Sequence, residues 1–130
     1  MVPLVEQRAQ LACLAARAAS SKKGDDIVVL DVGDVLAITD FFVITSAPNT
    51  RLVRTIVDEI ERELKEQGGP KPLRVEGLDD AHWVLMDYGE FVVHVFLDET
   101  RDYYDLERLW SDVPRVQWEE GVEPAGAAAP

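Results

Sequence analysis

Residues 82–96 contain two apolar stretches separated by a Tyr88–Gly89 pair, and this pattern constrains the fold more than any other part of the chain. Both stretches are rich in Val and aromatic residues, which favour β-strands. Because glycine accepts the positive φ of a tight two-residue turn, the pattern predicts an antiparallel hairpin. With Tyr88 and Gly89 in the turn, Trp83 is expected to lie opposite His94.

Side chains alternate along each strand, so the hairpin has two different faces. One face carries apolar residues and is predicted to pack on the core: Val84, Met86, Phe91, Val93 and Val95. The opposite face mixes aromatic, aliphatic and polar side chains: Trp83, Leu85, Asp87, Val92, His94 and Phe96. Such a mixture is typical of an interaction hot spot, so an open face would be a binding site. The alternative is that the first helix or the segment after Phe96 covers this face.

The remaining pattern predicts an α/β fold, a mixed sheet of about five strands with helices packed on one face. The 38–45 strand is apolar through most of its second half and is expected inside the sheet. Prolines beside the 71–77 strand favour a sheet edge, and Asn49 is expected to cap a helix. In chain order the predicted elements are a helix at 4–20, a strand at 27–30, a strand at 38–45, a helix at 50–67, a strand at 71–77, the hairpin and a helix at 100–110.

The chain has 130 residues, the length of one ordinary domain. We expect this domain at residues 1–113 and an acidic, Ala- and Pro-rich tail at 114–130 that is disordered. No stretch approaches the roughly 20 apolar residues of a membrane span, and none resembles a signal peptide, so a cytoplasmic protein is expected. Cys13 is the one cysteine, which excludes an internal disulfide and a multi-cysteine zinc site.

The charge balance is strongly acidic, with 13 Lys and Arg against 25 Asp and Glu, a formal net charge of -12. This charge repels phosphate backbones and anionic lipid, so neither sequence-specific nucleic acid binding nor membrane binding is expected. A basic protein surface would be attracted instead. The segment at 98–123 is the most acidic part next to the hairpin, which suits a partner of that kind.

The usual sequence patterns of catalytic sites do not occur in this chain. Side-chain alternation places His82 and His94 on opposite faces of the hairpin, so they cannot share a metal. Neither a dinucleotide-binding glycine pattern nor a P-loop lysine is present. No catalytic residue, metal or cofactor is therefore expected. The alternative is a divergent metal-dependent nucleotidyltransferase that uses Asp31, Asp34 and Asp40.

Several motifs resemble those of one known family. The matching segments are Asp40–Thr45, Asn49–Arg51, Glu76–Gly77, Trp83–Gly89, Val92–Phe96, Arg101, Tyr104–Glu107 and Leu109–Trp110. Asp-Tyr-Gly, Val-His-Val-Phe and Tyr-x-Leu-Glu-x-Leu-Trp follow one another in this order. Over roughly residues 8–113 the chain is similar to the ribosomal silencing factor family (RsfS), also called Iojap-like.

The resemblance implies a protein that docks on the large ribosomal subunit through ribosomal protein uL14 and physically prevents the small subunit from joining. Translation then falls when nutrients are scarce. The resemblance also implies a nucleotidyltransferase-like fold without catalytic groups, and homodimers that compete with docking. A homodimeric module whose hairpin face is its own interface is a further alternative.

The resemblance implies that a set of residues forms or braces the partner-binding surface: Trp83, Asp87, His94, Tyr104, Leu106 and Glu107. The hairpin face adds Leu85 and Phe96 as partner-binding residues. The chain departs from the family pattern at Ser46–Ala47, where a glycine is more usual. The turn before the second helix is therefore not predicted in detail. The acidic tail is a second departure.

Overall fold

The computed structural model describes residues 9–119, which form a five-stranded mixed sheet with helical segments on both faces. The elements in chain order are α1 (Gln10–Ser21), β1 (Asp25–Asp31), β2 (Phe41–Ala47), α2 (Thr50–Glu66), β3 (Arg74–Glu76), β4 (Trp83–Asp87), β5 (Phe91–Leu97), α3 (Asp98–Tyr104) and α4 (Leu106–Leu109). The strand order is β1-β2-β5-β4-β3, with β2 and β5 parallel and the other pairs antiparallel. The predicted α/β class with about five strands is confirmed. The start of the predicted first helix and most of the predicted tail lie outside the described residues.

The first face of the sheet packs against α1 and α2. Asn49 caps α2 as predicted, because its side chain accepts a hydrogen bond from the Leu52 N–H at 2.8 Å. In α1 the buried side chains are Cys13 and a set of alanines, whereas Leu11 and Leu14 lie at the margin of the core. Small side chains let α1 lie close to both α2 and the sheet. None of the helices in the described residues is long and apolar enough to cross a membrane.

The hairpin turn lies one residue later than predicted. Gly89, with φ of 88°, and Glu90 occupy its two central positions, and the Tyr88 N–H donates to the Phe91 carbonyl at 2.9 Å. The expected turn at Tyr88–Gly89 is therefore wrong. Two-residue hairpin turns with a positive φ at the first central position favour glycine there, and Gly89 occupies that position in this chain.

Moving the turn by one residue shifts the strand pairing by two, so every side chain keeps its face. Trp83 consequently pairs with Phe96, and His94 pairs with Leu85. The predicted core face is confirmed, since its members are buried in the cluster shared with α1 and α2: Val84, Met86, Phe91, Val93 and Val95.

The second face of the sheet is covered by the segment that follows β5, which was the alternative to an open face. Its buried cluster consists of Leu30, Val32, Phe42, Ile44 and Phe96. Leu106, Trp110 and Val113 pack on this cluster from above. The expectation that helices cover only one face is therefore wrong, because the short C-terminal helices close the other one.

The helix expected at 100–110 is broken into α3 and α4. Asp105 separates them with φ of 49° and ψ of 52°, a left-handed conformation that does not continue a right-handed helix. After this break Leu106 packs on the sheet, whereas Tyr103 points away and is 82% exposed. The single helix predicted at 100–110 is therefore wrong.

Residues 114–118 belong to the folded domain. The predicted domain boundary at 113 is therefore wrong for this segment. The Asp31 N–H donates to the Pro114 carbonyl and the Val116 N–H donates to the Val29 carbonyl, at 2.9 and 2.8 Å. The segment thus occupies the outer edge of β1. Pairing of this kind satisfies backbone groups that an edge strand would otherwise expose.

Candidate docking surface

Arg101 lies where α3 packs on the sheet, and only 7% of it is exposed. Its Nε donates to Glu107 Oε1 at 3.2 Å and its Nη2 donates to Glu107 Oε2 at 2.7 Å. A paired contact of this type is stronger and more directional than a single hydrogen bond. It fastens α3 to α4 across the break at Asp105.

The same guanidinium reaches the ends of two strands. It donates to the carbonyl oxygens of Asp25 and Asp26 at 3.0 and 2.6 Å, and to Ser46 Oγ at 3.1 Å. Each of its N–H groups therefore has an acceptor, which is what a buried cation requires. Ser46 supplies one of these acceptors. α3 is thereby fixed to β1 and β2.

The helical period of α3 gives it two sides with different surroundings. One side contributes Asp98, Arg101 and Asp102 to an acidic cavity. The other contributes Glu99, Thr100, Tyr103 and Tyr104 to an aromatic groove. This short helix therefore separates two chemically distinct surfaces at one end of the sheet.

The aromatic groove has a volume of about 630 Å³ and is lined by Gly77, Asp80, His82, Trp83, Glu99, Thr100, Tyr103 and Tyr104. Tyr103 and Tyr104 are 82% and 54% exposed, and their ring centroids are 5.0 Å apart at right angles. The Trp83 ring lies 5.0 Å from that of Tyr104. Aromatic side chains held on a fixed helix and strand are typical of interaction hot spots.

Buried residues hold Trp83 in place from below. Its Nε1 donates to His94 Nδ1 at 3.2 Å, and its ring lies 4.7 Å from that of Phe96. Gly77, with φ of 91°, permits the close approach of the neighbouring loop, since a Cβ there would lie 2.1 Å from the Trp83 carbonyl oxygen. The indole of Trp83 therefore has one fixed orientation at the floor of the groove.

His94 is a neutral hydrogen-bond acceptor in this arrangement. Burial lowers the pKa of His94 to about 4, so its ring carries no charge at neutral pH. Because Nδ1 accepts from Trp83, the proton of the neutral ring is on Nε2. His94 thus orients Trp83 from inside the sheet.

The acidic cavity on the other side of α3 has a volume of about 810 Å³. Its lining consists mainly of carboxylates, Asp25, Asp26, Asp98, Asp102, Asp105 and Glu107, together with Ser46, Ile27, Val28, Arg101 and Arg115. Burial raises the pKa of Asp25, and a hydrogen bond with Asp98 raises it further. Since Arg101 is already engaged with Glu107, this side of α3 presents a negative potential to solvent.

The structure brings four of the predicted partner-binding residues into one aromatic cluster: Trp83, His94, Phe96 and Tyr104. His94 and Phe96 are only 5% and 0% exposed, and Leu106, Trp110 and Val113 pack on the cluster that contains Phe96. These two side chains therefore lie beneath the surface, and their role in partner binding stays a prediction. They support Trp83, which is half-buried, while Tyr104 is exposed.

The other four predicted residues have different positions. Leu106 packs on the second face and Glu107 binds Arg101. Asp87 lies at the far end of β4, where its Oδ1 accepts from the Gly89 N–H at 2.9 Å and braces the turn. Leu85 is half-buried in the middle of β4. None of these four side chains lines the aromatic groove.

Sequence reasoning assigned no role to Arg101, Tyr103, Asp80 or Glu99. A signal for Arg101 was available, because it is the one Lys or Arg between Arg74 and Arg108. A lone cation within an acidic segment is a candidate for a specific ion pair. No comparable signal marks Asp80 and Glu99, since the fold brings them to one groove from different elements.

Within residues 9–119, no group of three His, Cys, Asp or Glu side chains is placed to hold a metal ion. Asp31 Oδ1 instead accepts a hydrogen bond from the Gly33 N–H at 3.2 Å, which is a turn contact. The geometry gives the nucleotidyltransferase alternative at Asp31, Asp34 and Asp40 no support.

Comparison with known proteins agrees with the motif resemblance. A family model described as "Ribosomal silencing factor during starvation" matches residues 5–130. The chain belongs to this family. The ribosomal silencing factor RsfS of Halalkalibacterium halodurans is 40% identical over 110 residues, which cover 85% of this chain and 93% of that relative.

Two further proteins extend the comparison. The Mus musculus protein named mitochondrial assembly of ribosomal large subunit protein 1 is 37% identical over 89 residues, covering 66% of this chain and 39% of the mouse protein. A crystal structure from Chromobacterium violaceum matches with a TM-score of 0.75 and 31% identity, covering 88% of this chain and 95% of that one. This chain therefore shares its overall fold with that protein.

Replacing Arg101 tests the link between α3 and the strands. We expect Arg101→Met to lower the free energy of unfolding by about 3 kcal/mol, because Glu107 and three further acceptors lose a buried partner. Urea denaturation at pH 7 measures this loss. Arg108→Met, an exposed control on α4, should change stability by less than about 0.5 kcal/mol. Equal effects of the two substitutions would contradict the assigned role of Arg101.

His94 predicts a specific dependence of stability on pH. Its pKa is about 4 in the fold, against an ordinary value of 6.5, so only the unfolded chain takes up this proton as the pH falls from 7 to 4. Between pH 7 and pH 4, the free energy of unfolding of the wild type should therefore fall by about 3 kcal/mol more than that of His94→Asn. The Asn variant keeps an acceptor for Trp83. Parallel stability curves for the two proteins would rule out a neutral buried His94.

Proposed function

We propose that this protein docks on ribosomal protein uL14 of the large ribosomal subunit and sterically prevents joining of the small subunit. It thereby represses translation when nutrients are limiting. Membership of the ribosomal silencing factor family supports this proposal. The name of the mouse relative, which refers to the large ribosomal subunit, agrees with the choice of subunit.

The exposed Tyr103–Tyr104 pair beside Trp83 is the observation that carries the docking proposal. Large aromatic side chains supply much of the affinity of protein interfaces when they are rigid before binding. Trp83 is held by His94 and Phe96, and Tyr104 is carried on a helix fixed by Arg101. Little conformational entropy remains to be lost when a partner covers this surface.

The charge of the molecule favours a protein partner over ribosomal RNA. The chain carries a formal net charge of -12, and the acidic cavity lies directly beside α3. RNA phosphates would repel this surface, whereas a basic ribosomal protein would attract it and raise the rate of encounter. We therefore propose a contact with a basic protein patch on the subunit, without sequence-specific RNA binding.

A steric mechanism needs no catalytic group. A folded chain of this length has a radius of gyration of about 14 Å. A body of that size bound at the intersubunit face holds the two subunits apart wherever their surfaces must meet. The proposal therefore assigns the protein no enzymatic activity and no cofactor.

Subunit joining provides the test of this proposal. We expect wild type at saturating amounts to prevent purified subunits from forming the complete ribosome, as measured by light scattering or by sedimentation. Tyr104→Ala should weaken binding to the large subunit about tenfold, since truncation of an interface aromatic removes roughly 1–2 kcal/mol. Leu73→Ala, another exposed apolar side chain near the hairpin turn, is the matched control and should bind normally.

Unchanged joining in the presence of saturating wild type would refute the steric mechanism. Equal binding by Tyr104→Ala and Leu73→Ala would instead refute the choice of docking surface. Circular dichroism of both variants verifies that neither substitution alters the fold.

A further inference from the structure

We propose that the aromatic groove is a receptor for one basic side chain, an arginine or lysine, of the protein on which this chain docks. This inference rests on the proposed docking function for the identity of the partner. It adds the chemical group that the groove recognises and the residues that recognise it.

Three aromatic rings border the groove at different angles. The rings of Tyr103 and Tyr104 are perpendicular, with centroids 5.0 Å apart, and the Trp83 ring is inclined by 48° to that of Tyr104. A cation within about 6 Å of such a ring is attracted by its electron-rich face. A guanidinium can also stack on a ring, which favours arginine over lysine.

Two carboxylates from different elements also line the groove. Asp80 belongs to the loop before β4 and Glu99 belongs to α3, and both are exposed. Among the described residues 9–119, neither has an ion-pair partner, although several other acidic side chains do. The groove lining contains no Lys or Arg. Both carboxylates are therefore available to a cation that enters from outside.

One cation beside the loop that carries Asp80 is already engaged by backbone carbonyls. Arg54, on α2, donates to the backbone carbonyls of Leu78 and Asp79 at 3.4 and 2.8 Å. It stabilises the loop that carries Asp80 and does not line the groove. The lining thus combines aromatic faces with negative charge, which suits a cationic side chain and rejects a phosphate.

The groove is formed before any partner binds. Trp83 is fixed by its bond to His94, and α3 is fixed by the bonds of Arg101 to β1 and β2. A volume of about 630 Å³ lies within the range of ligand sites in proteins. A side chain entering this space would find its aromatic and acidic contacts already in position, which lowers the cost of binding.

A direct test uses N-acetyl-arginine amide as the probe and the full chain as the receptor. In ¹H–¹⁵N spectra we expect a saturable shift of the Trp83 indole N–H, with no shift of the Trp118 indole. The neutral analogue N-acetyl-citrulline amide should give no saturable shift. The double variant Asp80→Asn/Glu99→Gln should abolish the response to the arginine probe. A citrulline response equal to that of arginine, or an unchanged response in the variant, would overturn the proposal.

A second test places the groove in the complex with purified large subunits. Asp80→Asn/Glu99→Gln should bind about tenfold more weakly than wild type, the equivalent of a desolvated cation contact. The control Asp58→Asn/Glu61→Gln removes the same charge from exposed positions on α2 and should weaken binding less than about twofold.

The two tests separate the groove from the docking function. If wild type binds the subunit and both double variants bind equally well, the receptor role of the groove is wrong and docking stands. If wild type does not bind the subunit, the docking function is wrong, and the titration with the arginine probe still decides whether the groove takes a cation.

Discussion

The buried guanidinium of Arg101 holds together the end of the molecule on which the proposed function depends. α3 has seven residues, and an isolated helix of that length is not stable in water. Its position comes from the hydrogen bonds of Arg101 to Glu107, to Ser46 and to the first residues of β1. Asp105 has a left-handed conformation between α3 and α4. The hydrogen bonds from Arg101 to Glu107 hold the two helices together across this break.

Once α3 is fixed, its two sides serve different purposes. The aromatic side offers rigid rings that supply contact area, and Trp83 is supported there by the second face of the sheet. The acidic side supplies charge that acts over a longer distance. In the proposed docking, affinity and steering come from opposite sides of one short helix. The proposed steric mechanism needs both properties and no reactive group.

Parts of this arrangement follow from sequence alone. The two faces of the hairpin were predicted correctly even though the turn was misplaced, because side-chain alternation is unchanged by a shift of two residues. Asn49 identified the start of α2 because a helix cap depends only on neighbouring residues, here the Leu52 N–H. The burial of His94 and Phe96 was one of two alternatives, and the sequence could not decide between them because the burial depends on a helix break that the Arg101–Glu107 contact spans. The groove likewise joins segments that meet only through strand pairing.

A cryo-electron microscopy structure of the large subunit with this protein bound would test the docking surface and the steric mechanism together. We expect Trp83, Tyr103 and Tyr104 to face uL14, with the body of the domain projecting where the small subunit would lie. A complex in which the opposite face, formed by α1 and α2, contacts the subunit would contradict the assigned surface. Binding to ribosomal RNA, or away from the intersubunit face, would contradict the mechanism itself.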